Sequence, residues 1–209
     1  MLASGSPARL RLLRDAGIDP VVVVSGADES DPGGLRTAAL VAVLAERKAA
    51  AVAVLRPEDL VLGCDSMLDL DGAALGKPAT GDEAASWWHR LAGREGVLYT
   101  GHRLIDGHAG RQASGVAATV IRFGQPTAAE IAAYAATGEP LQLAGAFSID
   151  GRGAPFIDGI DGDPGNVIGL SLPLLRRLLA DLGISLPSLW ALSPRRGPRL
   201  GRDVPALPW

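Results

Sequence analysis

Ser4-Gly5-Ser6-Pro7-Ala8-Arg9 gathers two hydroxyls, a proline suited to a first helical turn and an arginine. A helix starting at Pro7 would aim unpaired N–H groups and partial positive charge back at Ser4 and Ser6, with Arg9 alongside. Such a set of donors suits a polyphosphate. The same residues also make an ordinary Ser-Pro cap with a solvated arginine. Further along, Leu62-Gly63-Cys64-Asp65-Ser66-Met67 sets a carboxylate inside an apolar run. A buried, unpaired carboxylate is costly, so Asp65 must meet a cation, a set of donors or water in a cleft, where it could act as a general base. The alternative is a strand-end aspartate bonding a backbone turn. Gly76-Lys77-Pro78 holds its lysine in extended chain, because the residue before proline is kept out of the helical region. Lys48 lies in an alanine-rich run and reads equally as a snorkelling helix lysine. Glu29, in Ala27-Asp28-Glu29, has the chemistry to share a divalent cation with Asp65, or simply to belong to a solvated acidic loop.

Other candidates carry less. Asp158, Asp161 and Asp163 lie between glycines without the spacing of an EF-hand loop, so turn chemistry accounts for them. Cys64 has no histidine beside it in sequence and reads as a small buried hydrophobe. His89, His102 and His108 lack zinc-ligand spacing and receive no role. Trp87 and Trp88 are expected in the core.

The elements that must hold these groups follow from periodicity and punctuation. Pro7 to Gly17 is predicted as a helix capped by Ser6. Pro20 to Ser25, with its four valines, is predicted as a buried strand. Thr37–Leu55 is predicted helical, with Leu40, Val43, Leu44, Ala51 and Val52 facing inward. Leu60–Leu70 should be a strand ending in a hairpin at Asp71-Gly72. Thr80 with Glu83, and Thr127 with Glu130, mark two capped helix starts. Strands are expected through Val97–Ile105 and Val116–Phe123, and a last helix over Pro173–Leu182. The Pro/Arg-rich stretch 193–209 is expected to be a mobile tail. Residues 1–192 would then form one α/β unit, a mixed sheet flanked by helices.

The chain of 209 residues has a net charge of −3 and one cysteine. An acidic balance argues against a broad nucleic-acid surface, and a lone cysteine against a disulfide framework. No signal stretch opens the sequence and no window approaches a membrane span, so a cytoplasmic protein is expected.

The order of the fragments says more than any one of them. Leu-Ala-Ser-Gly-Ser-Pro-x-Arg, Ala-Asp-Glu, Glu46-Arg47-Lys48-Ala49, Gly-Cys-Asp-Ser, Gly-Lys-Pro, Tyr-Thr-Gly, Gly-Glu-Pro-x-x-x-Ala-Gly and Asn-Val-Ile-Gly-Leu resemble the Maf family from Leu2 to about Gly183. The Cys-Asp-Ser-Met and Gly-Leu-Ser-Leu-Pro-Leu-Leu variants are similar to its actinobacterial branch. The resemblance implies an α/β fold of the Maf/inosine-triphosphate-pyrophosphatase kind: a long mixed sheet and two lobes with a nucleotide cleft between them. It implies hydrolysis of a nucleoside triphosphate to monophosphate and pyrophosphate, dependence on a divalent cation (Mg²⁺, Mn²⁺ or Co²⁺), and a homodimer. Carried over by residue, Asp65 is the proton acceptor, Ser4, Ser6, Arg9, Lys48 and Lys77 face phosphate, and Glu29 joins Asp65 near the metal. Neither a membrane nor a specific nucleic acid is an expected partner.

Ala8, Ser66 and Asp150 depart from the family where it chooses its base. Asp150 stands where related branches carry glutamine or glutamate. A carboxylate only accepts hydrogen bonds and so suits the N1–H and 2-amino edge of guanine, which leans the expectation toward a purine, modified or not, over dTTP. Members of the family also carry a few residues before Leu-Ala-Ser. Met1 and Leu2 leave room for part of a strand at most, so either the natural start lies upstream or the sheet lacks part of one strand. Two other readings stay open: an ITP/XTP-type house-cleaning hydrolase of the same fold, and a non-enzymatic regulator of septum formation.

Overall fold

Leu60–Leu70 forms strand β1, which turns at Asp71-Gly72 into the short β2, Ala73–Leu75. Both turn residues have positive φ, 55° and 83°, the backbone that a two-residue hairpin with the right twist demands. The computed structural model describes residues 1–191, and the tail predicted for 193–209 lies outside the described residues. β3 (Glu95–Asp106), β4 (Arg111–Phe123) and β5 (Ile157–Asp161) complete an antiparallel sheet in the order β2-β1-β3-β4-β5. The parallel part of this mixed sheet comes from Leu2, which bridges Leu62 on one side and Val22 on the other.

Helix α2, Thr37–Leu55, lies flat across one face of the sheet. It comes so close that a Cβ at Gly63 would fall 2.4 Å from the Ala45 carbonyl oxygen, and one at Gly101 2.2 Å from that of Val41. Only glycine permits this approach. The buried stripe of α2 is Leu40, Val41, Leu44, Ala45, Lys48, Ala49 and Val52. The inward face expected from sequence is therefore corrected: Val43 and Ala51 are only half-buried, and Lys48 sits on the inner face.

The other face carries two separate cores. At one end α1 (Pro7–Asp15) and α6 (Leu172–Asp181) pack Leu13, Leu175 and Leu179 on Leu62, Cys64 and Leu104. At the other end α3 (Gly81–Leu91) and α4 (Ala128–Ala136) close an aromatic core on Leu68, Leu70 and Leu98. Trp88 is fully buried there, edge-on to Phe123, Tyr134 and Phe156 at 5.7 Å each, with its Nε1–H on the Ala146 carbonyl. These are the two lobes, and the sheet passes through both. Both predicted caps form, Thr80 accepting from Glu83 N and Thr127 from Glu130 N.

The valine run is a second correction. Only Val22 pairs, in a single bridge, and Val21 and Val24 are 57% and 72% exposed. Val22 lies at the sheet's edge, with Leu2 between it and β1, and of the run only Val23 packs, half-buried, on the cluster of Ala3, Ala49, Val52 and Val61. Short helices α5 (Pro164–Ile168) and α7 (Leu186–Ala191) complete the described chain. No described helix is long and apolar enough to cross a membrane.

Candidate functional site

Between the two cores the sheet has a polar waist. On the outer edge of β1, Leu62 is held by the N-terminal segment and Leu68 by β2, and no described strand pairs with Gly63–Met67 on that side. The edge opens there because the N-terminal segment leaves the sheet after Ala3 to enter α1. Successive side chains along β1 point to opposite faces, so Asp65 and Ser66 flank this opening from either side.

Asp65 points to the α2 face. Lys48, brought in by the Gly63 contact one turn earlier on the helix, donates to Asp65 Oδ1 at 2.6 Å, and both side chains are nine-tenths buried. Glu29, in the loop before α2, approaches the same Nζ at 3.0 Å while staying largely exposed. One ammonium thus ties two carboxylates together, offsetting the cost of burying Asp65 as an anion.

Ser66 points to the other face, toward α1. Arg9 is buried there, and all its polar contacts are to neutral oxygens. Its Nε donates to Gly169 O at 2.7 Å, one terminal nitrogen to Ser4 Oγ at 3.1 Å, and the other to Ser66 Oγ at 2.9 Å. Ser66 also shares a proton with Thr100 Oγ1 at 2.8 Å, its register partner on β3. Ser6 caps α1, its hydroxyl accepting from Arg9 N at 3.4 Å, while Ser6 N donates to Ser4 Oγ.

Lys77 is exposed, on the loop after β2. That loop is pinned where Gly76 O accepts from Gly145 N and where Gly76 lies against Met67. Ala8 is half-buried on α1. Asp150 is partly exposed and ion-paired with Arg11. The structure therefore brings together Ser4, Ser6, Arg9 and Ser66 on one face and Glu29, Lys48 and Asp65 on the other. It brings Lys77, Ala8 and Asp150 into neither group. Cys64, beneath the waist, is fully buried, and burial pushes its thiol pKa up to about 12, so it stays protonated and inert.

Several residues at the waist went unassigned from sequence. Asn166 is fully buried, its amide donating to Leu98 O and Thr119 Oγ1, and it fixes α5 to the sheet. His102 accepts from Ser171 N through Nε2 and faces Thr100 O through Nδ1, which fixes the neutral Nδ1–H tautomer. Burial foremost, and the nearby Arg9 charge among lesser causes, lower its pKa to about 4. Thr100 and His102 interrupt a strand of otherwise apolar inward positions, which is the signal that could have singled them out.

Comparison with known proteins adds to this geometry. A family model described as Maf-like protein matches residues 1–182. The chain belongs to the Maf family. Among curated relatives of this family, it is 61% identical to a nucleoside triphosphate pyrophosphatase of Streptomyces coelicolor, covering 91% of this chain and 94% of that protein. It is 50% identical to the protein of the same name from Salinispora tropica, covering 100% of this chain and 94% of that one. The namesake from Cutibacterium acnes is 50% identical over 91% of this chain and 93% of its own. The Maf-like match spans both cores and the waist between them.

Proposed function

We propose that the waist binds a nucleoside triphosphate and hydrolyses it to nucleoside monophosphate and pyrophosphate. The observation that carries this reading is the buried Lys48–Asp65 pair on one side of an open strand edge, with the Arg9 guanidinium on the other. A triphosphate laid along that edge would meet cations from both faces, and the exposed Lys77 is assigned as a third. Asp65 takes a proton from water as its oxygen attacks the α-phosphorus. The bond from that phosphorus to the bridging oxygen breaks, and pyrophosphate leaves with its charge held by Arg9, Lys48 and Lys77. Ser4 and Ser6 supply hydroxyls to the same phosphates. The pyrophosphatase name shared by the relatives supports the assignment.

Glu29 and Asp65 fit a divalent cation by donor chemistry. Both reach one Lys48 ammonium, and their oxygens are the donors that would hold a hard ion such as Mg²⁺, Mn²⁺ or Co²⁺. No group of three carboxylate, imidazole or thiol side chains gathers for a metal among the described residues, so substrate phosphate would supply the remaining ligands. A bound cation would neutralise phosphate charge there. Asp150, Ala8 and Ser66 are assigned to the choice of base, with a purine favoured by Asp150. A cytoplasmic location and a homodimer accompany this reading. The exposed Val21, Val24, Val54 and Leu55 offer apolar surface to a second copy.

Pyrophosphate release across canonical and modified triphosphates, with each of the three metals, tests the proposal. Metal-dependent release is expected from at least one purine nucleotide. No release under any condition, the behaviour of a non-enzymatic septum regulator, overturns it. A strong lead of dTTP and UTP over every guanine nucleotide overturns the base assignment alone.

A further inference from the structure

On the sheet face that carries Arg9, β3 presents Thr100, His102 and Leu104 beside Ser66, Cys64 and Leu62 of β1. Leu62 and Leu104 belong to the leucine core, while Ser66 and Thr100 belong to the waist. His102 stands between the two, fully buried. A leucine would continue the core there at less cost, because a buried imidazole needs partners for both ring nitrogens.

Those partners lead to Arg9 by two routes. Gly169-Leu170-Ser171 links α5 to α6. The Gly169 and Leu170 N–H groups turn back to Gly165 O, and the Ser171 N–H goes to His102 Nε2 at 3.0 Å. His102 thereby ties the link to the sheet, and Gly169 O of the same link accepts from Arg9 Nε at 2.7 Å. The link lies close against the guanidinium, since a Cβ at Gly169 would come within 3.4 Å of Nε.

On the second route the His102 Nδ1–H meets Thr100 O, and the Thr100 hydroxyl lies 2.8 Å from Ser66 Oγ and 3.4 Å from Asn166 O. A carbonyl only accepts, which orders the protons: Thr100 donates to Asn166 O, Ser66 donates to Thr100, and Ser66 Oγ accepts from Arg9 at 2.9 Å. Burial lowers the imidazole pKa to about 4, so Nε2 is an acceptor at neutral pH.

We infer that His102, together with Thr100, positions Arg9 for an incoming phosphate, by fixing the oxygens on which its guanidinium rests. Those bonds engage three of the guanidinium N–H groups and, among the described residues, leave the others for an anion. The inference rests on the proposed nucleotide site and adds to it two residues that act through Arg9. A histidine that only satisfied the first N–H of α6 would affect stability and leave anion binding alone.

The test compares affinity for inorganic tripolyphosphate, read by calorimetry with Mg²⁺, and kcat/KM for pyrophosphate release. The chains are the wild type, His102→Leu, His102→Gln, Thr100→Val, Arg9→Met and the double variant Arg9→Met/His102→Leu. His102→Leu and Thr100→Val are each expected to lower both quantities about tenfold or more, because a slightly misplaced group loses on that scale. His102→Gln should retain most of the wild-type value, since its amide oxygen can replace Nε2 as acceptor for Ser171 N. In the Arg9→Met background His102→Leu should cost nothing further, as for two residues acting through one group. A loss of the same size with and without Arg9, or wild-type affinity in both His102→Leu and Thr100→Val, would show a mere brace for α6 and overturn the inference. Should His102→Leu fail to fold, Thr100→Val in the same two backgrounds makes the comparison. Coupled losses of tripolyphosphate binding in a chain that releases no pyrophosphate sink the hydrolase reading and leave the inference standing. Release with independent losses does the reverse.

Discussion

The two faces of β1 at the waist place a cation each and treat it in opposite ways. Lys48 is wedged between carboxylates, so part of its charge is answered within the protein, holding Asp65 in place. Arg9 is equally buried but touches only carbonyl and hydroxyl oxygens, so its charge is oriented without being neutralised. The difference teaches a division of labour. On the proposed function, one face would secure a base, and the other would keep a positive charge in reserve for an anion arriving from outside. The contrast follows from the neighbours, since α2 brings an acidic loop with it while α1 brings hydroxyls and a helix N-terminus.

The sharpest way to break the contrast is Asp65→Asn. Turnover should fall by roughly 10²–10⁴, while binding of a non-hydrolysable triphosphate changes far less. Steady-state rates beside calorimetric affinities check this, and a near-normal rate removes Asp65 from the chemistry. On the other face Arg9→Lys keeps the charge but cannot make three divergent donations, and kcat/KM should drop roughly tenfold to a hundredfold. A variant with wild-type kcat/KM would mean that orientation on neutral oxygens is unimportant.

His102 extends the Arg9 face into stability. Its folded pKa of about 4 lies below the ordinary 6.5, so the fold holds it neutral and unfolding at acid pH takes up a proton. The stabilisation is complete above pH 6.5 and is lost as pH falls toward 4, by an amount on the order of 3 kcal/mol. Urea unfolding at stepped pH should show this slope, and His102→Gln should flatten it. Smallest is Gly63→Ala, which forces α2 away from the sheet at the Ala45 carbonyl and should cost about 2 kcal/mol. Thermal melts measure that cost. The same variant should disturb the Lys48–Asp65 pair more than the Arg9 contacts.

Much of the framework was legible in the chain. Pro7, the Thr80 cap and the Thr127/Glu130 capping box, Asp71-Gly72 and the apolar run Leu60–Leu70 each carry local signals that tertiary packing only reinforced. The failures have physical causes. In α2 the alanines give almost no contrast between faces, and the inner face is chosen by Gly63 and Gly101, which lie on other elements. The valine run looked buried because β-branched residues favour sheets, but burial needs a covering layer that the N-terminal edge does not supply. At the waist Asp65, Arg9 and Lys48 stood out as charges among apolar residues. Thr100, Asn166 and His102 did not, since their roles depend on a register between strands far apart in sequence. The Arg11–Asp150 contact was invisible for the same reason: 139 residues separate its two ends.

The gap beside Gly63–Met67 has one more consequence. A strand edge with free backbone groups is a template on which another chain can add itself, the first step of sheet-to-sheet aggregation. Here a carboxylate flanks the unpaired stretch, a lysine and an arginine crowd it from either side, and a foreign strand would have to displace them. The groups proposed to welcome a phosphate chain would thereby turn a peptide away, so neutralising them should make the protein more prone to clump as well as less active.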